Sequence, residues 1–180
     1  MVLSVPLCRW THSREGKGAA KDYKEAVKWF RKAAEQGDDF AQQNMGFMYG
    51  NGNGVAQDHK ESVKWYRKAA EQGNAAAQYV MGLFYAKGEG VSKDYKEAEK
   101  WFRKAAEQGD ATAQHFLSFM YRDGDGVIQD YVQSHKWYNI LAASGNKDAK
   151  KNRDKLSKIM TASQISEAQK LAREWMEKHP

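Results

Sequence analysis

Cysteine is almost missing from this sequence: its 180 residues hold one, Cys8. A single thiol excludes an intramolecular disulfide and a thiolate metal cluster. Proline is nearly as scarce, with only Pro6 and Pro180. No ring interrupts the interior, which favours helix throughout. No apolar run approaches the roughly 18 residues of a membrane-spanning helix, so membrane insertion is not expected. The short apolar stretch in residues 1–10 is broken by Pro6 and Arg9 before it reaches the length of a secretory leader. As it stands the chain reads as cytoplasmic. With a leader removed it would read as periplasmic or secreted.

Catalytic and metal-binding patterns are also lacking. His12, His59, His115, His135 and His179 form no H-x-x-x-H pair. Cys8 and His12 have helical i, i+4 spacing, but two ligands do not make a zinc site. GNGNGV at 50–55 follows a helical pattern and lacks the GK[ST] ending of a phosphate-binding loop. Asp123 and Asp125 resemble the start of a calcium loop, yet Val127 stands where the third ligand belongs. These positions read as a solvated turn, and His59 and His135 read as packing variants. No cofactor, metal or catalytic group is expected, and the chain is read as not an enzyme. Charge gives no continuous stripe either. The net +6 is concentrated at the two ends, so nucleic acid is an unlikely partner.

What the chain does have is repetition. WFRKAAEQG at 29–37 returns as WYRKAAEQG at 65–73, as WFRKAAEQG at 101–109, and in a worn form as WYNILAASG at 137–145. Trp29, Trp65, Trp101 and Trp137 recur every 36 residues, and so do Gly37, Gly73, Gly109 and Gly145. A fixed period of this size marks stacked supersecondary units. The Trp residues share a helix face with the Ala pair that follows them, so they read as core frame rather than as an aromatic ladder. The terminal glycines read as left-handed residues that end a helix.

Each unit holds two helical patterns. The B pattern starts at DYKE (22–25), DHKE (58–61), DYKE (94–97) and DYVQ (130–133). An acidic cap is followed three residues later by Glu or Gln, the arrangement of a capping box. The A pattern follows Asp38, Asn74, Asp110 and Asn146. Its buried face is Ala41, Met45, Met48 and Tyr49, with equivalents one and two periods on. Gly46 and Gly82 interrupt that helix, where glycine costs about 1 kcal/mol against alanine. Close helix crossing is the expected compensation. GNGV, GEGV and GDGV then close the A pattern with positive φ at glycine. The last A helix is expected over 147–160, with Ala149, Leu156, Ile159 and Met160 inward. TASQ at 161–164 starts a final helix to about 178. Its face of Ile165, Ala168, Leu171, Ala172 and Trp175 is placed to cap the array. Residues 1–21 read as a degenerate segment, with 1–15 irregular. The array occupies 22–160 and the capping helix 161–180.

The recurring loop, Trp, Ala pair and terminal Gly resemble the Sel-like repeat, a member of the TPR-like superfamily of helical repeats. The resemblance covers about 22–160. It implies an all-α fold: a right-handed α/α solenoid of antiparallel helix pairs, about eight helices in all. It also implies a non-catalytic, protein-binding adaptor, and that A helices line the concave face. Function is then sought where the repeats disagree on those helices. Gln43, Tyr79 and His115 form one such row, and Phe47, Leu83 and Phe119 another, with Lys87 at their edge. These seven residues are the expected contacts for a peptide or helix of a partner protein. A second reading is a binder of nucleic acid or acidic surfaces through the basic run Lys147, Lys150, Lys151, Arg153, Lys155 and Lys158.

Overall fold

A computed structural model describes residues 18–179, and side chains from Tyr23 onward. Among the described residues there are nine helices and no strand: α1 (Gly18–Glu35), α2 (Asp39–Asn51), α3 (His59–Glu71), α4 (Ala75–Lys87), α5 (Tyr95–Glu107), α6 (Ala111–Asp123), α7 (Tyr131–Ala143), α8 (Lys147–Leu156) and α9 (Ala162–Lys178). Each helix from α1 to α8 packs on its neighbours in the chain, and α9 packs on α7. This is an all-α solenoid, with B helices α1, α3, α5 and α7 alternating with A helices α2, α4, α6 and α8.

Local chemistry sets the helix starts. Asp38, Asn74, Asp110 and Asn146 accept a hydrogen bond from the amide three residues on, at Ala41, Ala77, Ala113 and Ala149. Asp58, Asp94 and Asp130 cap α3, α5 and α7. Each cap contributes about 1 kcal/mol. The reciprocal half of the expected capping box is not made at α3 and α5: Glu61 and Glu97 turn instead to Lys64 and Lys100. A complete box forms at Thr161 and Gln164. The expected cap at Asp22 is also corrected, because α1 begins at Gly18 and Asp22 lies inside it. Residues 1–17, including Cys8 and His12, lie outside the described residues.

The A helices end as expected, on glycine in the left-handed region at Gly52, Gly88 and Gly124. The second loop glycine answers a steric demand as well. A Cβ on Gly54 would sit 2.6 Å from the Tyr23 carbonyl oxygen, and one on Gly90 would sit 2.5 Å from that of His59. The loop is thereby held against the start of the preceding B helix. Val55, Val91 and Val127 pack inward beside it.

Close crossing accounts for the helix-interior glycines. A Cβ on Gly46 would lie 2.5 Å from the Tyr66 ring, and one on Gly82 would lie 2.5 Å from the Phe102 ring. So α3 crosses α2, and α5 crosses α4, at a distance only glycine permits. Ser62 Oγ donates to the Gly46 carbonyl at 2.7 Å, and Ser134 Oγ to that of Ser118 at 2.8 Å.

Two further sets of bonds tie the helices together. The buried Gln42, Gln78 and Gln114 side chains donate to the carbonyls of Ala34, Ala70 and Ala106. Gln42 and Gln78 also accept from Gln72 and Gln108 of the next repeat, both at 2.7 Å. Arg31, Arg67 and Arg103 donate to the hydroxyls of Tyr49, Tyr85 and Tyr121.

Trp65, Trp101 and Trp137 are buried in the cluster of the repeat before their own. Trp29 corrects the expectation for the frame: it is 53% exposed. A Trp leans backward along the array, and no described helix precedes α1. At the other end α8 stops at Leu156, four residues short of the expected boundary. The chain turns through 157–160, which buries Met160 but leaves Ile159 64% exposed instead of inward. Ala172 of α9 joins the cluster around Trp137, and Trp175 meets Trp137 edge-on at 6.1 Å.

Candidate functional site

The seven candidate residues fall on the three A helices α2, α4 and α6. On α2, Phe47 is 49% exposed and Gln43 is half-buried. Phe40, two turns before Phe47, is 45% exposed. Asn51 donates to the Phe47 carbonyl and Asn44 to that of Phe40, so local amide bonds fasten the backbone under both rings. Among the described residues these are the two large exposed hydrophobics of α2.

On α4 the picture changes. Tyr79 is half-buried, its ring 5.9 Å from Phe102 of α5 and 5.8 Å from Phe116 of α6. Phe116 itself stacks on Phe102 at 5.2 Å. Tyr79 therefore presents an edge rather than a whole ring, and burial raises its pKa. Leu83 is half-buried and packs on the central cluster. Lys87 is exposed, with Nζ 3.8 Å from Glu89. An exposed pair at that distance is worth little.

On α6, His115 and Phe119 meet edge-on at 4.6 Å, and Phe119 abuts Tyr138 of α7 at 6.2 Å. The Arg122 guanidinium lies 4.5 Å over the Phe119 ring while its donors hold Asp123. Burial keeps the His115 imidazole below its usual 6.5, opposed by Asp148 and aided by Arg122. Among the described residues its Nε2 is buried without a hydrogen-bond partner. The structure thus brings His115 and Phe119 together and joins Tyr79 to its neighbours through Phe116. Gln43, Phe47 and Lys87 stand apart from those aromatic contacts.

Phe40 and Phe116 are exposed aromatics beside the chosen rows. Sequence reasoning passed over one feature here: the rows continue into α8. Asn146 caps α8 as Asp38, Asn74 and Asp110 cap the earlier A helices, and Ala149 and Leu156 are buried like their counterparts. Register therefore puts Lys151 after Gln43, Tyr79 and His115, and Lys155 after Phe47, Leu83 and Phe119. The 36-residue spacing carried that signal, but the lysines stood out only as a run. Of the other histidines, His59 is exposed and His135 is 1% exposed, bonded to Ser157 Oγ at 2.9 Å and Asn139 at 3.0 Å.

The pattern described as Sel1 repeat matches the chain at residues 12–38, 39–74, 75–110 and 111–146. Two solved structures share its shape and much of its sequence. One is c5321, described as a protective antigen of uropathogenic Escherichia coli with an SLR fold: TM-score 0.77, 40% identity, over 92% of this chain and 35% of that one. The other is a Sel1 repeat protein from Oxalobacter formigenes: TM-score 0.69, 38% identity, over 86% of this chain and 65% of that one. The chain thus spans about a third and two thirds of their lengths. Helicobacter pylori cysteine rich protein B, at 24% identity and TM-score 0.58 over 75% of this chain and 97% of that one, shares the fold. No curated protein matches the sequence.

Proposed function

The chain belongs to the Sel1 repeat family, and from that premise we propose that it is a non-catalytic scaffold holding a peptide or helix of a partner protein against α2, α4 and α6. Sel1 repeats are generally protein-interaction scaffolds. One observation supports this surface most directly. Frame residues recur from repeat to repeat, while Phe40 and Phe47 leave apolar rings in solvent on α2. The frame needs neither ring, because the core of that repeat closes on Ala41, Met45 and Met48. An amphipathic segment laid across A helices would bury them and use Gln43, Tyr79, Leu83, Lys87, His115 and Phe119 for selectivity.

Affinity capture from the native cell extract, compared between the wild type and a Phe47→Ala, Lys87→Glu double variant, tests this reading. Both side chains are exposed, so stability is expected to change by no more than about 0.5 kcal/mol, as for ordinary surface substitutions. Captured proteins are expected to be lost from the double variant. An identical set from both proteins counts against the surface.

A further inference from the structure

The two rows change character between α6 and α8. From α2 to α6 they read Gln43, Tyr79, His115 and Phe47, Leu83, Phe119: one amide, four rings and an aliphatic side chain. At the next step both become lysine, Lys151 and Lys155. They line a shallow depression of about 410 Å³ with Lys147, Lys150, Asp154 and Lys158. Arg153 holds the single carboxylate there, at 2.7 Å from Asp154. Among the described residues none of the five lysines is in an ion pair. On the other A helices the cations near the rows are engaged: Arg122 with Asp123, and Lys87 with Glu89. Positive charge without a counter-charge is thus confined to one end of the surface.

The position of the depression has a structural origin. Asp154 occupies the register of Gly46 and Gly82, where the next B helix crosses, and Lys150 occupies that of Gln42 and Gln78 in the buried amide ladder. Among the described residues no further repeat lies against this face of α8, because α9 packs chiefly on α7. The lysines stand where stacking would otherwise cover them, and they adjoin the two rows.

Resting on the scaffold reading above, we propose that the bound segment is polarised: apolar and aromatic where it crosses α2 to α6, and acidic where it reaches α8. Charge complementarity selects the acidic end. The confinement of that charge selects a polypeptide over a nucleic acid. A polynucleotide repeats its phosphate at every step, and affinity grows with the number neutralised. Here cations without a counter-charge cover one helix, and on the remaining surface Lys87 and Arg122 each stand beside a carboxylate. A polypeptide can change side-chain chemistry along its length to follow the boundary.

The test uses random 16-residue peptides displayed on phage and selected on the whole protein, then three variants: Phe47→Ala, the pair Lys151→Glu with Lys155→Glu, and all three changes. Circular dichroism melting checks that each remains folded. Selected peptides are expected to join an apolar block to a block of Asp or Glu. A synthetic representative should lose about tenfold in affinity to the charge-reversed pair, the scale of several exposed ion pairs inverted together. That loss should shrink at high salt. Peptides without acidic bias that respond to Phe47→Ala alone would overturn polarity and leave the scaffold surface standing. Peptides indifferent to every variant would overturn both. A single-stranded oligothymidylate probe that binds through the lysines while acidic peptides do not would also overturn the proposal, in favour of nucleic acid.

Discussion

The third repeat and the end of the array are built on one period but to different ends. In the third, Arg103 bonds Tyr121 and Gln108 reaches back to Gln78. Ala105 and Ala106 are both fully buried, and Trp101 fills the preceding cluster. One period on, Asn139 replaces the arginine and Ser157 stands in the register of the tyrosine. Leu141 replaces an alanine, and Lys150 stands where the ladder would continue. The chain keeps the frame residue that looks backward, Trp137, and discards those that would accept a further repeat. The beginning shows the complementary case. Trp29 has the same motif around it as Trp101, yet it is 53% exposed, and no described helix precedes α1. A repeat residue is a core residue only when the adjacent unit supplies the other half of its contact.

The sharpest way to break this comparison is at the tryptophans. Trp101→Ala should destabilise the protein by about 3–5 kcal/mol, as expected when a large buried ring leaves a cavity. Trp29→Ala should cost less than about 1 kcal/mol, in the range of exposed substitutions. Urea unfolding of the two variants measures the contrast. Equal losses would break the comparison.

The amide ladder gives a middle-sized effect. Gln78→Ala leaves the Ala70 carbonyl and the Gln108 amide without their partner and should cost about 1–3 kcal/mol. Lys150→Ala, in the same register one step past the ladder's end, should be close to neutral. A large loss at Lys150 would show that α8 relies on its lysines for stability.

His135 gives the smallest effect and sharpens the terminal repeat alone. Val27 and Val63 occupy its register in earlier repeats. Burial holds the imidazole below the usual 6.5; Arg153 adds to that and Asp154 opposes it. The unfolded chain takes up this proton at the ordinary pKa, and the folded chain only at a lower pH. Between the two values the unfolded state binds more protons, so stability falls as pH drops through 6.5. His135→Gln should remove part of that decline between pH 7.5 and 5.5, whatever it does to stability at pH 7.5. Parallel pH profiles for the wild type and the variant would exclude the histidine as a contributor.

Much of this was legible in the residues themselves. The period, the A and B helices, the caps at Asp38, Asn74, Asp110 and Asn146, and the left-handed glycines all follow from local signals. The Gln42 ladder and the Arg31–Tyr49 bonds were equally periodic but went unread, because a polar residue on a helix is ambiguous until its partner is known. The candidate surface was legible only as rows. Tyr79 stood for an open contact until Phe102 and Phe116 were seen to take most of its ring. The lysines of α8 stood only for a basic run until register set them in line with the rows.

The sequence by itself determined where the helices between the start of α1 and the end of α8 begin, stop and turn their apolar faces, because caps, glycines and side-chain spacing act within one or two turns of helix. Only the tertiary structure decided which copy of each frame residue is buried, where α9 lies, and that, among the described residues, the lysines of α8 have no carboxylate paired with them. Those outcomes depend on contacts between residues about 36 apart or more, and identical local sequence meets different neighbours along the array.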